Sequence, residues 1–205
     1  MRIMKKLIIF DMDGVLVDAC DWHRISLNQA LIDVCGFEIS LEEHYKTFNG
    51  IPTKKKLELL LEDGKINKNL IPKIEKQKQE NTILCIEKYA KVRQEKIDLI
   101  NYLKNEGIFV GCYTNSIRKT AEMMLEKTGV LSLLDFLITN QDVKNPKPHP
   151  EGYLLCLEKL NFKKEECIII EDSPKGVEAA KKSGIPYKVV KSPDEVNLNL
   201  IKEIL

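Results

Sequence analysis

The segment Asp11-Met12-Asp13-Gly14 sets two carboxylates one residue apart, directly behind the apolar run Leu7-Ile8-Ile9-Phe10. Paired acids of this kind can hold a hard cation, and one of them can attack an electrophile while the other moves protons. Three more polar groups stand at comparable places: Thr114-Asn115-Ser116, Lys147 between Pro146 and Pro148, and Glu171-Asp172-Ser173. If they converge, Asp11, Asp13, Glu171 and Asp172 crowd their charges together. Two like charges about 4 Å apart repel by about 4 kcal/mol at an effective dielectric of about 20. A positive partner is needed, and Mg²⁺ is the usual hard cation where phosphate is the other ligand. Lys147 adds a fixed positive charge, while the Thr114 hydroxyl and nearby main-chain N–H groups can bind the oxygens of an anion. The set describes a phosphoryl site.

Such residues have to be delivered to one place by the elements before them. Five short runs of β-branched or aromatic character read as strands: Leu7 to Phe10, Ile108 to Tyr113, Phe136 to Thr139, Cys167 to Ile170 and Tyr187 to Val190. Helical periods lie between them at about 93–105, 117–128, 150–160 and 174–183. Alternating strands and helices predict an α/β fold with a doubly wound, Rossmann-like parallel sheet. The continuous apolar run Cys167-Ile168-Ile169-Ile170 agrees, because parallel strands are covered on both faces. Ligands of such sheets bind beyond the carboxyl ends of the strands, which is where each of the polar groups falls.

Residues 17–91 break the alternation. Only helical patterns occur there, interrupted at Gly36, Gly50-Ile51-Pro52 and Asp63-Gly64, so the expected organisation is a core of 1–16 with 92–205 and an inserted all-helical domain over 17–91. With 205 residues and 43% apolar composition, a well-buried core is within reach. Lys plus Arg number 32 against 31 Asp plus Glu, which argues against a nucleic-acid or anionic-membrane partner. The six cysteines form no C-x-x-C pair and read as reduced thiols, hence a cytoplasmic protein. The basic start is followed by too short an apolar run for a signal segment or a membrane span. A monomer is expected.

The pattern D-x-D-G-V-L-V-D at 11–18, T-N-S at 114–116, the proline-flanked Lys147 and I-I-E-D-S-x-x-G at 169–176 closely resemble, in order and spacing, the four motifs of the haloacid dehalogenase superfamily. The helical insert resembles the cap of its phosphoglycolate phosphatase and beta-phosphoglucomutase-like branch. The resemblance implies Asp11 as nucleophile, forming an aspartyl-phosphate that water then hydrolyses, and Asp13 as general acid and base. It implies Mg²⁺ held by Asp11, the Asp13 carbonyl, Asp172 and Glu171, the last either a ligand or a hydrogen-bond acceptor behind the ligands. Thr114, Asn115 and Lys147 would face the phosphoryl oxygens. The cap would close over the site on hinges near 15–18 and 90–93, and His23 and Lys78 are its candidate substrate contacts.

The implied activity is a Mg²⁺-dependent phosphatase for a small phosphorylated metabolite. A sugar-phosphate mutase is the alternative within the same fold, but Gly50-Ile51-Pro52-Thr53 lacks the arginine that the related mutases carry soon after this glycine. Carbon–halogen cleavage needs neither Mg²⁺ nor a second aspartate, so Asp13 argues against it. From another class, a receiver domain also combines clustered aspartates, a hydroxyl, a lysine and Mg²⁺. Receivers lack a helical insert of this size.

Overall fold

The structure is a computed structural model that describes residues 5–205. It divides into two compact units: residues up to Asp18 with Lys91–Leu205, and Ala19–Ala90.

The first unit is built on a parallel sheet of β1 (Leu7–Phe10), β2 (Phe109–Tyr113), β3 (Phe136–Ile138), β4 (Cys167–Glu171) and β5 (Tyr187–Val189), in the order β3-β2-β1-β4-β5. Helices α5 (Gln94–Asn105), α6 (Arg118–Lys127), α7 (Glu151–Leu160) and α8 (Pro174–Ser183) make the connections, and α9 (Leu198–Ile204) ends the chain. Every residue of β1 and β4 is buried. One face gathers Leu7, Ile9, Tyr113, Cys167 and Ile169 against Tyr153, Cys156, Ala179 and Ala180, while Ile8, Phe10, Val110, Cys112 and Ile170 alternate to the other. A fully buried Leu or Ile contributes roughly 1.5–3 kcal/mol, so a charge introduced in either central strand would disrupt the sheet.

Chain direction reverses its progress across the sheet between β1 and β4. β1 and β2 lead outward to β3, and the chain then returns to place β4 on the far side of β1. The carboxyl ends of β1 and β4 thus flank the point where a doubly wound sheet opens a crevice.

The second unit is all helical: α1 (Cys20–Cys35), α2 (Leu41–Glu43) running into a π-helical turn at His44–Phe48, α3 (Thr53–Glu62) and α4 (Ile71–Tyr89). Leu27, Ala30, Leu31, Phe48, Leu57, Leu60 and Ile74 form its core, and α1 packs along α4. The loop after α1 is tied down by Asn28, whose amide donates to Ile39 O at 2.8 Å and accepts from Ile39 N at 3.1 Å. Trp22 stacks on Tyr89 at 6.4 Å between ring centroids. All six cysteines are free thiols. Among the described residues, no helix is long and apolar enough to cross a membrane.

Candidate active site

Register does the first work of assembly. Phe10 is level with Cys112 on one side and Ile170 on the other, so the next residues out, Asp11, Tyr113 and Glu171, share a row at the carboxyl edge. The Asp11 N–H continues the ladder to Ile170 O at 2.9 Å. Beyond it the backbone folds back tightly: Val17 N bonds Met12 O at 2.9 Å and Gly14 N bonds Val17 O at 2.7 Å. Gly14 adopts φ 86°, a left-handed conformation that glycine takes without steric cost. Met12, Val15 and Leu16 are fully buried and Asp11 nearly so, while Asp13 is partly exposed.

Lys147 is 3% exposed, and its ammonium uses all three protons. It donates to Asp11 Oδ1 at 2.5 Å, to Glu171 Oε1 at 2.6 Å and to the main-chain oxygen of Tyr113 at 3.0 Å. The rings of Tyr113 and Tyr153 lie 4.8 and 5.1 Å from the nitrogen, on the cation–π faces of a buried charge. Burial alone would push the Lys147 ammonium down; the Asp11 and Glu171 carboxylates outweigh it and hold it well above the usual lysine range. For Asp11 burial is the largest influence and raises the carboxyl, with Lys147 opposing and Glu171, Asp172 and Asp13 adding to the rise.

The loop that carries Lys147 is clamped on both sides. Glu151 accepts from Lys144 N at 2.7 Å and from Asn145 N at 3.0 Å, and Asn115 bonds the main chain of Lys147 itself. The Lys147–Pro148 peptide is cis.

Glu171 is completely buried and accepts five hydrogen bonds. Oε1 takes those from Lys147 and from the Tyr153 hydroxyl at 3.0 Å; Oε2 takes Asp172 N at 2.9 Å, Ser173 N at 3.0 Å and Ser173 Oγ at 3.2 Å. Ser173 also caps α8 by accepting from Gly176 N at 3.1 Å, with Pro174 in the first turn. The same cap thus starts the helix and orients a carboxylate. Asp172 is pushed up to about 7, by burial first and by the Glu171 charge second.

Asp11, Glu171 and Asp172 each bring a carboxylate oxygen within 4.8 Å of the others. An oxygen-only donor set at this spacing, without thiol or imidazole, fits a hard divalent cation such as Mg²⁺. Asp13 Oδ2 accepts from Thr114 Oγ1 at 3.3 Å and from Ser116 Oγ at 3.1 Å.

Asp11, Asp13, Thr114, Asn115, Lys147, Glu171 and Asp172 therefore meet at one edge of the sheet. One placement differs from expectation: the Asn115 amide, expected to face phosphate, is bonded to the Lys147 backbone. Ser116 was expected at the site but was given no role of its own, and Tyr113 and Tyr153 were not foreseen as its neighbours. Ser116 stood inside the quoted T-N-S, but the two tyrosines read only as apolar positions of a strand and a helix. His23 and Lys78 belong to the helical unit, where Lys78 Nζ lies 3.3 Å from His23 Nδ1 and Lys78 is buried.

Residues 8–190 match the sequence profile of the haloacid dehalogenase-like hydrolase family. A phosphorylated carbohydrates phosphatase of Thermotoga maritima is 30% identical over 217 residues, covering 97% of this chain and 99% of the relative. A pyrophosphatase of Bacillus velezensis is 28% identical over 86% of this chain and 79% of its own length. In three dimensions the fold is similar to a beta-phosphoglucomutase of Clostridium difficile, with TM-score 0.83, 24% identity, and coverage of 98% of this chain and 96% of that one. The chain belongs to the haloacid dehalogenase-like hydrolase family and is a phosphatase-type hydrolase within it.

Proposed function

We propose that the protein is a Mg²⁺-dependent phosphatase of small phosphate monoesters that works through a phosphoryl group carried transiently on Asp11. The observation that carries this reading is the buried row of Asp11, Lys147 and Glu171, with Asp172 close enough to complete an oxygen site. A cation held by Asp11 and Asp172, with the Asp13 main-chain carbonyl as a further oxygen and Glu171 either a ligand or, as its five hydrogen bonds favour, an acceptor behind the ligands, would supply positive charge beside the nucleophile and the phosphoryl oxygens.

In the first step an Asp11 carboxylate oxygen forms a bond to phosphorus while the bond from phosphorus to the ester oxygen breaks. The departing alkoxide takes a proton from Asp13. In the second, Asp13 removes a proton from water, the water oxygen bonds to phosphorus, and the bond from phosphorus to Asp11 breaks, releasing inorganic phosphate. Thr114 and Ser116 donate to Asp13 Oδ2 and so orient the carboxyl group that exchanges the proton. Lys147 offsets the charge that builds on the phosphoryl oxygens, the main contribution available to an enzyme in this chemistry. Asn115 acts through Lys147, whose backbone it holds.

A phosphorylated carbohydrate is the favoured substrate class, because the Thermotoga relative named for such substrates matches end to end. Inorganic pyrophosphate is the competitor, from the Bacillus relative. Substrate choice is assigned to the helical unit, where the His23–Lys78 pair is the first target for mutation. The core reading is tested with p-nitrophenyl phosphate. Steady product release that needs Mg²⁺ and stops on chelation supports it; a stoichiometric burst without turnover would instead indicate a phospho-acceptor. A panel of sugar phosphates with pyrophosphate and a glucose-1-phosphate isomerisation assay then separates the substrate classes and the mutase alternative.

A further inference from the structure

We propose that Tyr153 is a positioning residue of this reaction, fixing through its hydroxyl and its ring where the Lys147 ammonium and the Glu171 carboxylate stand relative to Asp11. The inference rests on the phosphatase reading above and extends it to a residue outside the four motifs.

Tyr153 lies on α7, whose N-terminal end follows the Lys147 loop, and its side chain is completely buried. Its hydroxyl reaches Glu171 Oε1 at 3.0 Å, the same oxygen that accepts from Lys147 at 2.6 Å. Its ring faces the Lys147 nitrogen at 5.1 Å and meets the Tyr113 ring edge-on, at 5.0 Å and 89°. One side chain therefore touches both members of the Lys147–Glu171 pair. The surrounding helix is shaped for this contact: a Cβ on Gly152 would lie 2.1 Å from the Tyr113 ring, so only glycine lets the tyrosine pair close beside the lysine.

The consequence for Asp11 is indirect. Lys147 divides three protons among Asp11, Glu171 and the Tyr113 carbonyl. With the Tyr153 hydroxyl in place, Glu171 Oε1 is shared between two donors, and its hold on the ammonium is moderated. Without it, that oxygen keeps only Lys147, and the charge-assisted bond between them strengthens at the expense of the bond to Asp11. Tyr153 makes no bond to Asp11, so its loss should act on the rate of the chemical step rather than on substrate binding.

The test is Tyr153→Phe, which keeps the ring and removes the hydroxyl, assayed beside wild type with p-nitrophenyl phosphate and Mg²⁺. The expected result is a kcat about five- to twentyfold lower with KM within about twofold, and a double variant Tyr153→Phe/Glu171→Gln no slower than Glu171→Gln alone. Wild-type kcat in Tyr153→Phe would overturn the proposal, as would losses that multiply in the double variant, or a loss that merely follows the unfolded fraction in a melting curve. A wild-type protein that fails to turn over the ester would sink the phosphatase reading itself. An active wild type with an equally active Tyr153→Phe would sink only the role of Tyr153.

Discussion

The side-chain amide of Asn115 is bonded at both ends to the main chain of Lys147: Nδ2 donates to Lys147 O at 3.1 Å, and Oδ1 accepts from Lys147 N at 3.0 Å. The pairing imitates one rung of a sheet and anchors the loop bearing the lysine to the end of β2. Asn28 makes the same two-ended contact with Ile39 in the helical unit. Asn115→Ala is expected to cost about 1–2 kcal/mol of stability, two partly buried hydrogen bonds at about 1 kcal/mol each. Turnover should fall about tenfold as Lys147 loses its fixed place. Urea unfolding together with steady-state kinetics checks both; a variant with wild-type kcat would remove the link between the amide and the lysine.

Gly176 faces Glu171 so closely that a Cβ built on it would lie 1.6 Å from Oε1. The carboxylate cannot easily withdraw, because five donors hold it. Gly176→Ala should therefore either displace Glu171 or shift the first turn of α8, at about 1–3 kcal/mol, as overpacking in a filled interior usually costs. A lowered melting temperature with reduced turnover is expected. Unchanged values of both would mean that Glu171 has room to move.

His44 gives the helical unit a predictable acid sensitivity. Burial first, then the nearby Lys56 and Arg24, lower its imidazole to about 4 from 6.5, with Asp21 opposing. Between those values the unfolded chain binds a proton that the folded one does not, so stability rises with pH across the window. Equivalently, stability is lost as pH falls from about 6.5 to about 4, by at most about 3 kcal/mol from this residue. Trp22, the only tryptophan, lies in this unit and can report its unfolding. Urea midpoints at several pH values should fall less steeply in His44→Gln than in wild type. Identical slopes would contradict the assignment.

Much of the core could be read from local pattern. The apolar runs starting at Leu7 and Cys167 are strands covered on both faces, and the periods at about 150–160 and 174–183 match α7 and α8. Small departures have visible causes. Ile108 stays out of β2 because its N–H closes α5 through Leu103 O at 2.9 Å, and Thr139 leaves β3 because its N–H bonds Asp142 Oδ2 at 2.7 Å. Strand order was not legible, since no local pattern says that β4 returns beside β1. The parts of the site that escaped notice share that cause. Tyr153 sits at a helix-core position, and its tie to Glu171 exists only once α7 packs on the sheet. Asn115 carried the correct chemistry for an anion, but folding placed a peptide group within its reach.

The proposed phosphatase reaction requires that Asp11 itself carry the phosphoryl group. Wild-type protein mixed with a ³²P-labelled ester and Mg²⁺ should be quenched in acid during turnover, digested and mapped. Label is expected on the peptide containing Asp11, removed by hydroxylamine and absent from Asp11→Asn, which should not turn over. Wild-type turnover with no label on that peptide, or an Asp11→Asn protein that works at the wild-type rate, would contradict it.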